Sequence, residues 1–436
     1  MGSGIQTPLF TGSPRDRDAR WQAGSSTFVH NMTLPVHRWF RFPAGFSAQW
    51  AQAVVEEQRR AGGGRAITLL DPFAGVGTAI LAAEAAGVRA YGLEAQPLLA
   101  RIARAKLLWD TDVGAFLGFA RRVLEAARDG QHGAASYPPL VLKCYPPDVL
   151  QQLHGLRLAW EAHRDGSPES ELTWLALVSI LRQASPANTA PWQYVLPSKR
   201  KRRAAPPYDA FAAQVERMAQ DMAQRQAAGV ARAGSIFAAD ARQAAPIEDG
   251  SIDLVVTSPP YANNFDYADA TRLELSFLGA VEGWGDLHEV ARRPLVRSCS
   301  QHVSVEGTDL EAVLRELSDA PFYRDLERVV AALAQERERH RGHKRYDVMI
   351  PAYFADMRQV WRALRRVCRP GARVCFVVGD SAPYGVHIPV ERWLGELAVQ
   401  AGFGGYRFEK IRDRNVKWKN RKHRVPLHEG HLWVEG

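Results

Sequence analysis

An α/β protein containing a parallel sheet is predicted by three observations along this chain. A strand, a glycine turn, a helix and a second strand run from Ala66 to Leu93. A second apolar strand, Ile252–Val256, opens into a loop with two prolines. A helix and strand follow over Tyr353–Val378. Strand–helix–strand units of this kind place parallel strands side by side, with ligands at the strands' C-terminal edge.

Residues 1–30 are rich in Gly, Ser, Pro and Arg and are expected to form a mobile arm. The first compact signal is Leu34–Ser47, which leads into a helix over Ala48–Arg60. Ala66–Leu70 reads as a buried strand stopped by Asp71-Pro72, and Thr78–Ala86 has helical composition and is ended by Gly87. Ala90–Leu93 is a strand closed by Glu94. Residues 111–231 are mainly helical by pattern. They are interrupted by Tyr137-Pro-Pro139, Tyr145-Pro-Pro147 and the basic run Lys199–Arg203, which is expected in a loop. The α/β pattern resumes where Ser235–Ala238 leads to Asp240 and Ile252–Val256 leads to Thr257. A polar stretch, 280–346, ends in Glu336–Arg345, expected as a solvated helix face. A helix over Tyr353–Val367, a strand over Arg373–Val378, a helix over Val390–Gln400 and two strands near 405–411 and 430–435 complete the chain.

Of the 436 residues, 46% are hydrophobic and 24% charged, as expected of a folded soluble protein. The formal net charge of +9 favours a polyanionic partner. Cys144, Cys299, Cys368 and Cys375 lie far apart with no Cys-x-x-Cys pair, which argues against a disulfide framework or a zinc site and fits a reducing cytoplasm. His423, His428 and His431 lack supporting ligand spacing, so no metal is expected. No charged segment precedes an apolar run at the start, and Leu172–Leu181 is too short to cross a bilayer. A cytoplasmic protein without a membrane partner is expected.

Asp71-Pro-Phe-Ala-Gly-Val-Gly-Thr78 occupies the place of a phosphate-binding turn but lacks a third glycine, with Ile80 there instead. Phe73, Ala74, Gly75, Gly77 and Thr78 would let a ligand approach the backbone closely, and Glu94, an acid ending the next strand, suits ribose hydroxyls. A carboxylate at Asp71 serves a pyrophosphate poorly and an ammonium well. The expected cofactor is therefore S-adenosyl-L-methionine, with Asp71 on its ammonium and Asp240 on its adenine amino group.

Ser258, Pro259, Pro260 and Tyr261 follow an apolar strand and so open at the ligand-binding edge. An exocyclic amino nitrogen on an aromatic base is a poor nucleophile, because its lone pair is delocalised into the ring. The Ser258 hydroxyl and the Pro259 carbonyl can accept its two N–H bonds, two prolines stiffen the loop, and Tyr261 offers a stacking face. Cys144, the one candidate for a covalent cytosine route, lies outside the α/β pattern.

At these residues the sequence resembles the amino-methylating DNA methyltransferases, the N4-cytosine and N6-adenine group. Asp71–Thr78 is similar to their cofactor loop, and Thr257–Tyr261 to their catalytic loop in the Ser-Pro-Pro-Tyr form of N4-cytosine enzymes. His37–Ser47 resembles the segment closing over the methionine end of the cofactor, with Phe46 and Ser47 at the matching positions. Ala262–Tyr267, continuing to Arg272-Leu-Glu274, resembles the stretch that follows the catalytic loop. The resemblance implies a Rossmann-like class I methyltransferase sheet, seven-stranded and mostly parallel with a reversed last strand, the final hairpin coming from 405–436. It covers 34–109 and 234–279 well and 350–436 loosely.

The implied organisation is a discontinuous catalytic domain, 31–110 and 232–436. Residues 111–231 form a helical insertion and candidate target-recognition region, and 280–346 a second insertion. The insertion between Glu94 and Asp240 is not where the family usually reads sequence. Lys199, Arg200, Lys201, Arg202 and Arg203, near Trp192 and Tyr194, are expected to contact DNA phosphates. Arg412, Arg414, Lys417, Lys419, Arg421 and Lys422 form another basic group. The implied activity is base flipping and methylation of an exocyclic amino group in double-stranded DNA, cytosine N4 favoured. The setting is restriction-modification or epigenetic marking, nucleoid-associated, with a cognate restriction endonuclease as a possible partner. N6-adenine methylation, an RNA or protein-amide substrate, and a non-catalytic nucleic-acid-binding protein remain alternatives.

Overall fold

Apolar strands with little polar surface must be covered on both faces, and here they assemble into one seven-stranded sheet. The computed structural model describes residues 28–43, 45–63, 65–130, 133, 136–190, 194–201, 203–414 and 425–436. In chain order the strands are β1 (Thr68–Asp71), β2 (Arg89–Leu93), β3 (Ala187–Thr189), β4 (Val195–Arg200), β5 (Gly234–Phe237), β6 (Ile252–Thr257), β7 (Cys368–Gly379), β8 (Gly405–Arg414) and β9 (Leu427–Glu435). The sheet order is β5-β2-β1-β6-β7-β9-β8. β5, β2, β1, β6 and β7 are parallel, whereas β9 runs antiparallel to both β7 and β8. The seven-stranded, mostly parallel α/β sheet is thus present, and the reversed strand is the second arm of the 405–436 hairpin.

All six residues of β6 are buried. Leu254 and Val256 join one apolar cluster and Val255 the other, as the two-residue side-chain period requires. The first cluster lies beneath the helices Ala48–Ala61, Thr78–Ala85 and Pro97–Lys106, and continues without a break into the helices of 113–222. The second lies beneath Tyr346–Val367 and Val390–Gln400, with Val313 and Leu326 of the polar insertion packed into it.

Several local expectations are corrected. Phe28–Thr33, partly inside the expected arm, is a single helical stretch, while residues 1–27 lie outside the described residues. The helix expected from Tyr353 begins at Tyr346 and accommodates Pro351; that proline loses one N–H bond but leaves the turn before it helical. The stretch 280–346 is largely helical, and its longest helix is Tyr323–Arg339. The basic run is not a loop at its start, because Lys199 and Arg200 close β4, which pairs with β3 in a two-stranded ribbon. Arg202 and Trp192 lie outside the described residues. Pro139 and Pro147 of the two Tyr-Pro-Pro segments begin helices, where a missing N–H costs nothing.

Gly92 of β2 fixes how closely the site turn packs on the sheet. A Cβ there would stand 2.5 Å from Ile236 Cδ1 and 2.8 Å from Ala74 Cβ. Gly92→Ala is expected to destabilise the fold by about 1–3 kcal/mol through overpacking. Thermal or denaturant unfolding checks this, and an unchanged midpoint would refute it.

Candidate active site

β1 ends at Asp71 because Pro72 cannot continue the ladder, and the chain turns over Gly75 and Gly77, both at positive φ (52° and 85°). Gly77 sits at the N-cap of the helix Thr78–Ala85. The Gly75 N–H donates to Glu94 Oε2 at 2.9 Å and the Gln96 N–H to Glu94 Oε1 at 2.8 Å, so the acid ending β2 is tied to the turn beside it. Asp71 is 1% exposed. Its Oδ1 accepts from Thr257 Oγ1 at 2.5 Å and from the Phe73 N–H at 3.0 Å, while its Oδ2 is buried with no partner. Burial pushes both Asp71 and Glu94 up to about 7.

The Asp71–Thr257 hydrogen bond joins the end of β1 to the end of β6, and the Pro-Pro loop follows at once. Ser258 Oγ donates to the Val377 carbonyl of β7 at 3.3 Å, which leaves its lone pairs for other donors. The Tyr261 N–H donates to the Tyr267 hydroxyl at 3.2 Å. Burial pushes the pKa of the Tyr261 hydroxyl well above the usual phenol value.

These segments line one cleft. Phe73, Ala74, Gly75, Thr78, Glu94 and Asp240 line it, and so do Phe46, Ser258 and Pro260. The two sequence loops therefore share one cavity. Asp71 and Gly77 lie behind this wall, Asp71 being flanked by the lining residues Pro72 and Phe73. Asp240 is paired with Arg242 at 2.7 Å. The Arg242 guanidinium also donates to the Pro294 carbonyl at 3.2 Å.

Other expected site residues are placed differently. Ser47 does not line the cleft; its Oγ accepts the Trp50 N–H at 3.2 Å and caps the helix Ala48–Ala61. Pro259 and Tyr261 also lie off the wall. The Arg414 guanidinium sits over the ring of Tyr261, 5.2 Å from its centroid, and the tyrosine that lines the cleft is Tyr267.

Sequence reasoning also missed Phe42, Gln96 and Pro294–Val296, all of which line the cleft. Phe42 and Gln96 lie within or beside recognised segments. Pro294–Val296 come from the polar insertion, whose pattern carries no such signal.

The segment that brings Phe42 and Phe46 to the wall is held from outside the sheet. Asp221, on the helix Pro207–Ala227, accepts from the Val36 N–H (3.0 Å), Arg38 Nη2 (2.5 Å) and Trp39 Nε1 (2.9 Å). Asn31 Nδ2 donates to the Phe46 carbonyl at 2.8 Å, and Asn31 Oδ1 accepts the Ala48 N–H at 2.9 Å.

Tyr194, just before β4, stacks on Phe265 at 5.5 Å, and its hydroxyl accepts the Asp266 N–H at 2.8 Å. The ribbon bearing Lys199 and Arg200 is thereby fastened to the segment running from Tyr261 to Tyr267. Lys199 and Arg200 are exposed, whereas Lys201 Nζ donates to the Arg182 carbonyl at 2.7 Å. Arg203 is exposed. In the other basic group, Arg412 pairs with Glu429 at 2.7 Å, and Lys417, Lys419, Arg421 and Lys422 lie outside the described residues.

Cys144 is buried, and burial pushes its thiol up to about 11, which does not suit a nucleophilic thiolate. Among the described residues no cluster of His, Cys, Asp and Glu suits a metal ion, and no helix is long and apolar enough to cross a membrane. His428 packs beside Asp380, at 3.1 Å, and His431 stacks on Trp50 at 4.2 Å; His423 lies outside the described residues.

The chain is similar to proteins named Type II methyltransferases. It is 24% identical over 427 residues to M.BsoBI of Geobacillus stearothermophilus, covering 89% of this chain and 82% of that protein. It is 25% identical over 409 residues to M.AvaI of Nostoc sp., covering 86% of this chain and 81% of that protein, and matches M.AvaI of Anabaena variabilis to the same extent. No protein-family model matches the chain, and no solved structure matches it significantly.

Proposed function

We propose that this protein is an S-adenosylmethionine-dependent DNA methyltransferase of a type II restriction-modification system, acting on an exocyclic base amino group, cytosine N4 in particular. The observation that carries the reading is the single cleft shared by Gly75, Glu94 and Ser258. The similarity to Type II methyltransferases over most of the chain points the same way.

The donor set fits the cofactor. The unpartnered Oδ2 of Asp71 suits its ammonium, and Glu94, which keeps lone pairs beyond its two backbone bonds, suits the ribose hydroxyls. When bound, S-adenosylmethionine supplies an electrophilic methyl group. Ser258 Oγ, with its own proton directed to Val377, accepts one N–H of the target amino group. Holding that proton favours a pyramidal nitrogen whose lone pair is free to attack; the Pro259 carbonyl, expected as the second acceptor, belongs to a residue off the cleft wall. The flat wall of the cleft at Tyr267 serves the extruded base, in place of Tyr261.

Mass spectrometry of digested duplex DNA after incubation with protein and cofactor tests the reading. N4-methylcytosine is expected. N6-methyladenine in its place would reassign the base, and neither product would overturn the proposal. DNA from cells carrying the protein is also expected to resist the cognate restriction endonuclease.

The acidity of Asp71 gives a pH prediction. A carboxyl held near 7 in the folded chain is largely protonated below that pH, and a bound ammonium favours the charged form, so binding there releases a proton. Cofactor affinity is expected to fall by up to about tenfold per unit as pH drops below about 7. The ligand-free fold behaves oppositely: its raised acids bind protons more tightly than the unfolded chain does, and this stability is lost as pH rises from about 4 to about 7. Calorimetry across pH 5.5–8, in buffers of different ionisation enthalpy, measures both affinity and proton release. A pH-independent affinity would contradict the assignment.

Replacing Lys199 and Arg200 together by Ala is expected to weaken DNA binding at all sequences. It should lower the slope of log K against log salt concentration by about 2, one per lost phosphate contact. An unchanged slope would remove the ribbon from the interface.

A further inference from the structure

We infer that Arg414 is a positioning residue for the catalytic loop, holding the ring of Tyr261 and with it the loop that aims Ser258 into the cleft; this rests on the methyltransferase reading above. Arg414 ends β8, at the far edge of the sheet and far in sequence from the loop, yet its guanidinium lies 5.2 Å from the Tyr261 ring centroid. Three contacts fix it there. Nη1 donates to the Asp380 carbonyl at 2.9 Å, Nε stands 3.9 Å from Glu429 Oε2, and the aromatic face takes the cation. The side chain is 15% exposed.

Its seat is built by Gly379, Glu429 and Asp380. Gly379 lets the side chain pass: a Cβ there would stand 2.5 Å from Arg414 Nη1 and 3.0 Å from the His428 carbonyl. Glu429 is 8% exposed and is shared with Arg412 at 2.7 Å, so it is fixed before it meets Arg414. Asp380, whose carbonyl receives the guanidinium, is itself anchored, its Oδ1 accepting the His428 N–H at 2.7 Å.

The Tyr261 N–H is held in turn by the Tyr267 hydroxyl at 3.2 Å. A residue gripped by its ring face and its backbone restrains the short loop that carries Ser258. The second half of that serine's restraint, the bond to the Val377 carbonyl, comes from the same strand that carries Gly379.

The test combines Arg414→Ala, Arg414→Lys, Tyr261→Ala and the double variant Arg414→Ala/Tyr261→Ala. The first readout needs no turnover: backbone hydrogen exchange at Ser258, Tyr261 and Ala262 in the ligand-free protein. Arg414→Ala is expected to speed exchange there about tenfold with the melting temperature nearly unchanged, and Arg414→Lys to recover part of the protection. The second is single-turnover methyl transfer to duplex DNA, where Arg414→Ala is expected to slow the chemical step about tenfold at unchanged cofactor affinity. The double variant is expected to be no slower than Tyr261→Ala alone, because Arg414 acts through that ring.

Unchanged exchange in Arg414→Ala, or rate losses that multiply in the double variant, would overturn the inference. Absence of methyl transfer by the unaltered protein would overturn the methyltransferase reading instead, and hydrogen exchange would still decide whether Arg414 holds the loop.

Discussion

Ser258→Ala is expected to lower the single-turnover rate of methyl transfer by about 10²–10³-fold, the effect of deleting one preorganised hydrogen-bonding group aimed at a reacting atom. Ser258 lines the cleft, and its proton is already committed to Val377, so its lone pairs are what the cavity sees. Alanine removes that acceptor but leaves the two prolines and the strand beneath them in place. Cofactor affinity, which depends on the β1 and β2 ends, should stay within about twofold, since no direct contact to it is removed. Labelled-methyl transfer under single-turnover conditions, paired with calorimetry, separates the two quantities. Equal losses in binding and rate would move Ser258 from the chemical step to the cofactor site.

Asp71→Asn should act from behind the opposite wall of the cleft. Asparagine keeps the size of the side chain and an oxygen for Thr257, but removes the charge opposite the ammonium. Losing one partner of a desolvated, hydrogen-bonded charge pair costs about 2–5 kcal/mol, which is a rise in cofactor Kd of about 30- to several-thousand-fold. The ligand-free protein should be no less stable than the original. Its carboxylate is buried with Oδ2 unpartnered, and burial already penalises the charged form. A thermal shift without ligand and a titration with it test the pair of outcomes together. Unaltered affinity would show that Asp71 serves only the bond to Thr257.

The legible parts of the fold and site were those encoded in short contiguous stretches. An apolar strand stopped by Asp71-Pro72, glycines two apart and an acid ending the next strand are all local, and the strand before Thr257 is equally plain. What escaped depends on contacts between distant residues. Ser47 resembles a ligand contact in sequence but caps a helix, and Tyr261 resembles a stacking platform but lies beneath Arg414, more than a hundred residues away. Pro294–Val296 reach the cleft because Arg242 ties the Pro294 carbonyl to the Asp240 turn, which no periodicity within 280–346 could announce. The short ribbon escaped because β3 has three residues, too few for an alternation to register.

The placement of β9 also bears on how the chain is made. β9 follows every other strand of this sheet in the sequence, yet it lies inside the sheet, between β7 and β8. Until residues 427–435 emerge, β7 has a free edge along its whole length, and Val374, Phe376 and Val378 lack the cover of Leu432 and Val434. A bare, apolar strand edge is a template for pairing with other nascent chains. Synthesis therefore passes through a window of aggregation risk that closes only with the final hairpin, so translation that halts within 415–426 would leave a product both incomplete and adhesive.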